Sequence, residues 1–184
     1  MTRIHTPASI DAAPTAAQPL LEAVKKQFGM VPNLFRVVAN SPAALEGYLG
    51  LNGALAKGGL DVRTRERIAL AVAEVDGCDY CLSAHSYIAK NLAKLDDVEI
   101  EASRNGSSHD PKAAAAVRFA VKIVRERGHV SDADVAEARS AGFDDAQLVE
   151  IVAHVALNVL TNYVNVVAGT EVDFPAVSPA RAAA

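Results

Sequence analysis

The chain has 184 residues, of which 51% are hydrophobic but only 5% aromatic, with no tryptophan and a formal net charge of −4. That length suits one domain with a real core rather than two. An Ala-, Val- and Leu-rich, aromatic-poor mix favours helices over a β-sandwich. With no run of Lys and Arg to form a basic stripe, nucleic acid is not an expected partner.

The opening sixteen residues are rich in Ala, Thr and Pro and lack the apolar core of a signal peptide. They are expected to wrap against a neighbour or to lie loose. Pro19 opens a helical segment through Phe28 that stops at Gly29, and a short helix from about 33 to 39 follows Pro32. Ser41 with Pro42 behind it predicts the cap and first position of a helix ending at Gly58-Gly59. Asp61 precedes the segment Val62 to Val75, stopped by Gly77, and the next helix is predicted from Cys78 to Leu95. A short helix near 98–104 ends at Gly106, and Asp110-Pro111 starts the segment Lys112 to Arg127.

Ser131 with Asp134 three residues on reads as a capping box for a helix to Ser140. Asp144 or Asp145 begins the last helix, which runs to Gly169. No window alternates with period two, so no sheet is assigned, and the expected architecture is an all-α bundle of one domain, 1–184, with its core at about 20–174. The tail from Phe174, with Pro175, Pro179 and the terminal alanines, is expected to be extended or mobile. The long Ala/Val-rich helices in 63–93 and 112–169 hint at a weak duplication without a residue-level repeat.

The longest apolar stretch, Ile151 to Ala168, is interrupted by His154, Asn158, Thr161, Asn162 and Asn165. It reads as a buried helix with a polar seam rather than a membrane span. The stripe is either a helix–helix or oligomer seam, which is the preferred reading, or the lining of an active-site cleft. No membrane partner is expected, and the default location is the cytoplasm.

The chemistry-bearing stretch is Gly77-Cys78-Asp79-Tyr80-Cys81-Leu82-Ser83-Ala84-His85. Both cysteines of the chain lie in one Cys-x-x-Cys unit, which in a reducing compartment is more often catalytic or metal-binding than structural. Gly77 places Cys78 in the first turn of a helix, where unpaired N–H groups and the dipole favour a thiolate. Residues 78, 81 and 85 share one helical face, so His85 stands one turn from Cys81, where a base can take a thiol proton.

Glu66, eleven residues before Gly77, is the candidate to orient His85 if the two helices fold back on one another. One of Arg63, Arg65 and Arg67 is expected to keep Glu66 ionised. A zinc ion on Cys78, Cys81 and His85 would lack the second pair of ligands that structural sites use, so no metal or cofactor is assigned. His5, His109 and His129 are placed on the surface, Tyr48 and Tyr87 in the core or an interface, and Glu74 and Asp76 at a solvated helix end.

The strings Arg65-Glu66-Arg67-Ile68-Ala69-Leu70-Ala71-Val72, Gly77-Cys78-Asp79-Tyr80-Cys81 and Ala84-His85 resemble the alkyl hydroperoxidase D (AhpD)-like branch of the carboxymuconolactone decarboxylase family. That signature is Glu, eleven residues, Cys-x-x-Cys, three residues, His, and every position is filled. The segment Phe28-Gly29-Met30-Val31-Pro32-Asn33-Leu34-Phe35-Arg36 is similar to the entry segment of peroxidase-related members. The resemblance covers roughly 20 to 174 and implies an all-helical homo-oligomer, a trimer or hexamer, that reduces hydroperoxides or disulfides through Glu66, Cys78, Cys81 and His85. It further implies that Cys81 attacks the peroxide, Cys78 resolves the sulfenic acid, and an external dithiol or disulfide-reductant protein regenerates the pair.

Two departures stand out. Tyr80 occupies the position of a second histidine in hydroperoxidase D and is carried here as a supporting hydrogen-bond donor. Glu74 and Asp76 add negative charge that opposes thiolate formation. The order of attack stays open on the residues alone, since the helix dipole favours Cys78 and the histidine favours Cys81. Two rivals remain: a carboxymuconolactone-decarboxylase-like enzyme on the same fold, which needs no cysteine pair, and a non-catalytic redox sensor that oxidises once and stops.

Overall fold

The computed structural model describes residues 2–180. Among these residues the chain forms nine α-helices and no strand. They are α1 (Gln18–Phe28), α2 (Asn33–Val38), α3 (Pro42–Leu55), α4 (Val62–Asp76), α5 (Asp79–Asn91), α6 (Asp97–Arg104), α7 (Pro111–Arg125), α8 (Asp132–Ser140) and α9 (Asp145–Ala168). A single 3-10 turn, Thr15–Ala17, precedes α1 and was not anticipated from the sequence.

The caps explain most boundaries. Ser41, Asp61, Asp96 and Asp110 each accept a backbone N–H three residues on, and Ser131 and Asp144 form full capping boxes. Two helices end three or more residues earlier than the sequence suggests, and α7 stops two residues short, at Arg125. Helix α3 stops at Leu55 because the Gly58-Gly59 loop closes onto Glu150, whose carboxylate accepts the N–H groups of Gly59 and Leu60 at 2.9 and 3.1 Å. A Cβ on Gly58 would lie 2.6 Å from that carboxylate, so a larger residue there would have to displace the Glu150 side chain. Helix α5 stops at Asn91 because Leu92 and Ala93 both donate to the Ile88 carbonyl and Lys94 turns into left-handed backbone, φ 57°.

Helix α4 is the hub: Thr64 and every residue from Arg67 to Ala73 are buried. One side packs with α7 and α9 through Ile68, Val72, Phe119, Ile123, Ile151 and Val155. Another side, with Leu70 and Ala73, joins α5 and α2 in a cluster that contains both cysteines. A third cluster ties the N-terminal segment to α1–α3 through Ala13, Leu21, Val24, Phe35 and Leu45. Burying the middle of α4 forces its one fully buried cation, Arg67, to find a partner. Glu99 supplies it at 2.6 Å, and that carboxylate also accepts from the Ser108 hydroxyl and the His109 N–H.

Both ends are tied to the helices. Arg3 and Ile4 donate backbone N–H groups to the Ala168 carbonyl, and the Arg36 and Asn40 side chains donate to the carbonyls of Pro7 and His5. The non-helical tail lies along α5: Val177 donates to the Ser83 hydroxyl, Ser178 accepts from Arg104, and Ala180 donates to Glu74. The terminal alanines lie outside the described residues. By length and composition α9 could cross a membrane, but half of its apolar window is buried, and His154, Asn158, Thr161, Asn162 and Asn165 all face inward.

Candidate functional site

Gly77 ends α4 in left-handed backbone, φ 66°, and reverses the chain within one residue. Cys78 is therefore not in the first turn of α5 but at its N-cap, with extended backbone, and its Sγ accepts the Cys81 N–H at 3.3 Å. The one-residue difference matters, because the sulfur itself performs the cap that Ser or Asp performs elsewhere in this chain. Both cysteines are free thiols and almost sealed, 1% and 2% exposed.

The reversal brings α5 back along α4, and His85 Nδ1 meets Glu66 Oε2 at 2.9 Å. A carboxylate on Nδ1 fixes the proton there and leaves Nε2 as the working nitrogen of the neutral ring. Burial opposes a charge on His85, yet the Glu66 carboxylate outweighs it and raises the histidine above its ordinary value. No arginine helps Glu66 by direct pairing among the described residues. Arg67 belongs to Glu99, and Arg65 donates to the Leu55 carbonyl at 3.4 Å.

The two thiols differ. Hydrogen bonding from Cys81, its side chain first, together with the Tyr80 N–H and the His85 charge, lowers Cys78 against the opposing effect of burial. That same shared hydrogen bond, with burial and the Cys78 charge, pushes Cys81 well up. Of the two thiols, Cys78 therefore gives up its proton the more readily and Cys81 holds its own. Only Cys81 lines a cavity of about 190 Å³, shared with Glu66, His85 and Tyr48. The sulfur that ionises more readily is not the one a small molecule in that cavity would meet.

The preferred reading of the α9 stripe as a plain seam is corrected by these contacts. His154, Asn158 and Thr161 line the same cavity, and Asn165 donates its amide to Cys81 Sγ at 3.3 Å. Asn162, fully buried, donates to Asp76 Oδ2 at 2.8 Å. Thr161 on the cavity wall and Asn165 on Cys81 fit the other reading of the stripe, the lining of an active-site cleft, and their spacing of four residues on an apolar helix was the available signal.

Glu74 and Asp76 are not at a solvated end either. Glu74 is held by Arg104 at 2.9 Å, and burial raises the Asp76 carboxyl above its usual range despite the Asn162 bond. The added negative charge near the thiols is thereby compensated at one residue and weakened at the other. Tyr48 packs its ring 5.7 Å from Phe35 and also faces the cavity, while Tyr87 lies half-exposed against Phe174.

Tyr80 stands between the cysteines as a brace. Its hydroxyl donates to Asp173 Oδ1 at 2.8 Å and accepts the Leu34 N–H at 3.1 Å, while its ring meets Phe174 edge-on. Asp173 Oδ2 also accepts the Asn33 N–H, so one carboxylate links the tail, α2 and α5. His5, His109 and His129 are exposed and take no part. Among the described residues no group of three or more His, Cys, Asp or Glu side chains is arranged to hold a metal ion.

Residues 42–126 match the model of the carboxymuconolactone decarboxylase family. The fold matches a structure described as the alkylhydroperoxidase AhpD core of an uncharacterized peroxidase-related protein from Ralstonia eutropha. Its TM-score is 0.83 at 26% identity, covering 94% of this chain and 92% of that one. A second uncharacterized peroxidase-related protein, from Silicibacter, matches with TM-score 0.79 and 25% identity over 93% and 94% of the two chains. An uncharacterized protein of Haemophilus influenzae is 44% identical over 64 residues, 34% of this chain and 51% of that protein. The match therefore spans about half the length of that curated relative.

Proposed function

Since the chain belongs with the AhpD-like proteins of the carboxymuconolactone decarboxylase family, we propose that it is a thiol-dependent peroxidase that reduces hydroperoxides with an external dithiol. The observation that carries this reading is the 2.9 Å Glu66–His85 pair sharing one cavity with Cys81, beside a Cys78 thiol of lowered pKa.

In the proposed cycle His85 Nε2 takes the Cys81 proton, and the Cys81 thiolate attacks the terminal peroxide oxygen. The O–O bond breaks, Cys81 becomes a sulfenic acid, and the departing alkoxide takes the proton back from His85 to leave as an alcohol. The Cys78 thiolate then attacks the Cys81 sulfur, displacing hydroxide, which becomes water, and forming the disulfide. An external dithiol reduces that disulfide by exchange and leaves as its own disulfide. Glu66 steadies the imidazolium, and the Asn165 amide steadies charge on Cys81.

The test is peroxide consumption in the presence of a dithiol. The native chain should turn over repeatedly, Cys81→Ser should be inert, and Cys78→Ser should consume one equivalent and stop with a trappable sulfenic acid on Cys81. The reverse pattern would assign the attack to Cys78. Absence of repeated turnover in the native chain, with one oxidation only, would make the pair a sensor. A lactone-decarboxylating activity that survives replacement of both cysteines would instead favour the rival enzyme.

The homo-oligomer is also a proposal. Its support is the outward row Val149, Val152, Leu160, Tyr163 and Val167 on α9, each 46% to 68% exposed and spaced to form one apolar stripe. A solution mass of one chain would overturn it. The expected location, the cytoplasm, and the reductant, a dithiol protein, are carried on the same footing.

A further inference from the structure

The cavity that holds Cys81 and His85 is also lined by polar groups that the proposed relay does not use. Arg65 lies on the wall, half-buried in the first turn of α4. Among the described residues it has no carboxylate within 4 Å, whereas the other arginines of α4 and α6 that turn inward are paired, Arg67 with Glu99 and Arg104 with Glu74. The one hydrogen bond recorded for its guanidinium, to the Leu55 carbonyl, is long at 3.4 Å. His154 lines the same wall from α9, only 5% exposed, and its Nε2 has no hydrogen-bond partner. The rest of the lining is mixed, with Leu34, Val62, Ala69 and Leu157 beside Asn52, Asn158 and Thr161.

We infer that the substrate is a small hydroperoxide carrying a carboxylate, seated with its anionic end at Arg65 and His154 and its peroxide end at Cys81 and His85. The inference deepens the peroxidase reading and rests on it for the peroxide end only. Four arguments carry it. A guanidinium on a cavity wall, with donors to spare and no carboxylate paired to it, is suited to bind a planar carboxylate in charge-assisted fashion. Both acids near this wall are already engaged, Glu66 by His85 and Glu150 by the Gly59 and Leu60 N–H groups, which leaves the Arg65 guanidinium without an ion-pair partner among the described residues.

His154 is held below its ordinary value by burial and by the Arg65 charge, so it stays a neutral ring that can donate to an acceptor without adding a second cation. The fourth argument is size. A cavity of about 190 Å³ has room for a small molecule with a short aliphatic spacer.

The test is binding, read by calorimetry without peroxide or reductant, using β-hydroxyisovalerate and its methyl ester as the alcohol products of a matched acid and ester. The acid should bind roughly tenfold tighter than the ester, the size of one charge-assisted hydrogen bond. Arg65→Gln should bring the acid level with the ester, and Arg65→Lys should restore part of the preference, which separates charge from lost packing. His154→Leu should weaken the acid more than the ester.

Equal affinity for acid and ester in the native chain, or an acid affinity untouched by Arg65→Gln, overturns the inference. Binding of the acid by a protein that consumes no hydroperoxide would sink the peroxidase reading and leave the anionic ligand standing. Turnover without any acid preference would do the opposite.

Discussion

Glu66 and Arg67 are chain neighbours on α4, yet their side chains serve different sides of the interior. Arg67 meets Glu99 in a buried ion pair, 8% and 9% exposed, and the Glu99 carboxylate is further satisfied by Ser108 and the His109 N–H. Those hydrogen bonds and the Arg67 charge hold the Glu99 carboxyl below the usual range in spite of burial. Every polar group in that cluster has a task inside the protein. On the Glu66 side the opposite holds: among the described residues His154 Nε2, Asn162 Oδ1 and Asn165 Oδ1 are buried without a partner, and the two thiols are shifted in opposite directions by the hydrogen bond they share. Polar groups completed within the fold stabilise it, and polar groups left incomplete beside a cavity are available to something else.

The largest effect should come from the completed side. Glu99→Ala leaves the Arg67 guanidinium buried and unpaired, and about 3–5 kcal/mol of stability should be lost in denaturant unfolding. At a temperature where the variant is still folded, thiol reactivity should be close to native. If reactivity is lost there too, the two sides of α4 are not separable and the contrast fails.

On the other side, His85→Ala should slow reaction with hydroperoxide about a hundredfold, the contribution of one positioned acid–base group. Its unfolding midpoint should move far less than that of Glu99→Ala. Rates equal to native would remove His85 from the proposed relay.

Glu66→Gln should have a milder effect, about tenfold, with a diagnostic pH profile. Without the carboxylate, burial lowers the histidine against the Cys78 charge only, so the limb on which His85 loses its proton should move to lower pH. The same linkage appears in stability. Because the folded histidine is raised, its pairing with Glu66 stabilises fully below the ordinary value of 6.5 and is lost as pH rises through the folded value. A denaturant midpoint that falls with rising pH across that window in the native chain, but not in Glu66→Gln, would bear this out. Identical pH profiles would return Glu66 to a mere first-turn acid.

These contrasts also explain what the sequence disclosed. The helices and their starts were legible because Ser41, Asp61, Asp110, Ser131 and Asp144 cap by local chemistry that needs no tertiary partner. The meeting of Glu66 and His85 was legible because Gly77 permits one tight reversal and the rest is helical arithmetic. The early end of α5 and the confinement of α3 by Glu150 were not, since both depend on residues far along the chain or on a left-handed Lys94. The role of the α9 stripe was hidden for the same reason. Spacing shows that Thr161 and Asn165 share a face but not which helix that face meets, and the partner turned out to be Cys81. Asp173 on Tyr80 is likewise a contact between residues 93 apart in sequence.

The smallest effect tests where the boundary between the two sides falls. Asp76 sits two residues before Cys78 and accepts from the buried Asn162 amide. Burial raises its carboxyl, so the folded state favours the protonated form. For a carboxyl raised in this way, stability is highest at low pH and falls as pH climbs from the ordinary value of 3.8 through the folded one. Asp76→Asn removes that loss, keeps an acceptor for Asn162 Nδ2 and brings a donor near the partnerless Asn162 Oδ1. At neutral pH the variant should be as stable as the native chain or more so, by about 1 kcal/mol at most. Removing a negative charge beside the thiols should also speed alkylation of Cys78 by iodoacetamide modestly at fixed pH. A variant that is markedly less stable would mean that the carboxylate itself is required by the fold, and would move Asp76 and Asn162 to the same side as Arg67 and Glu99.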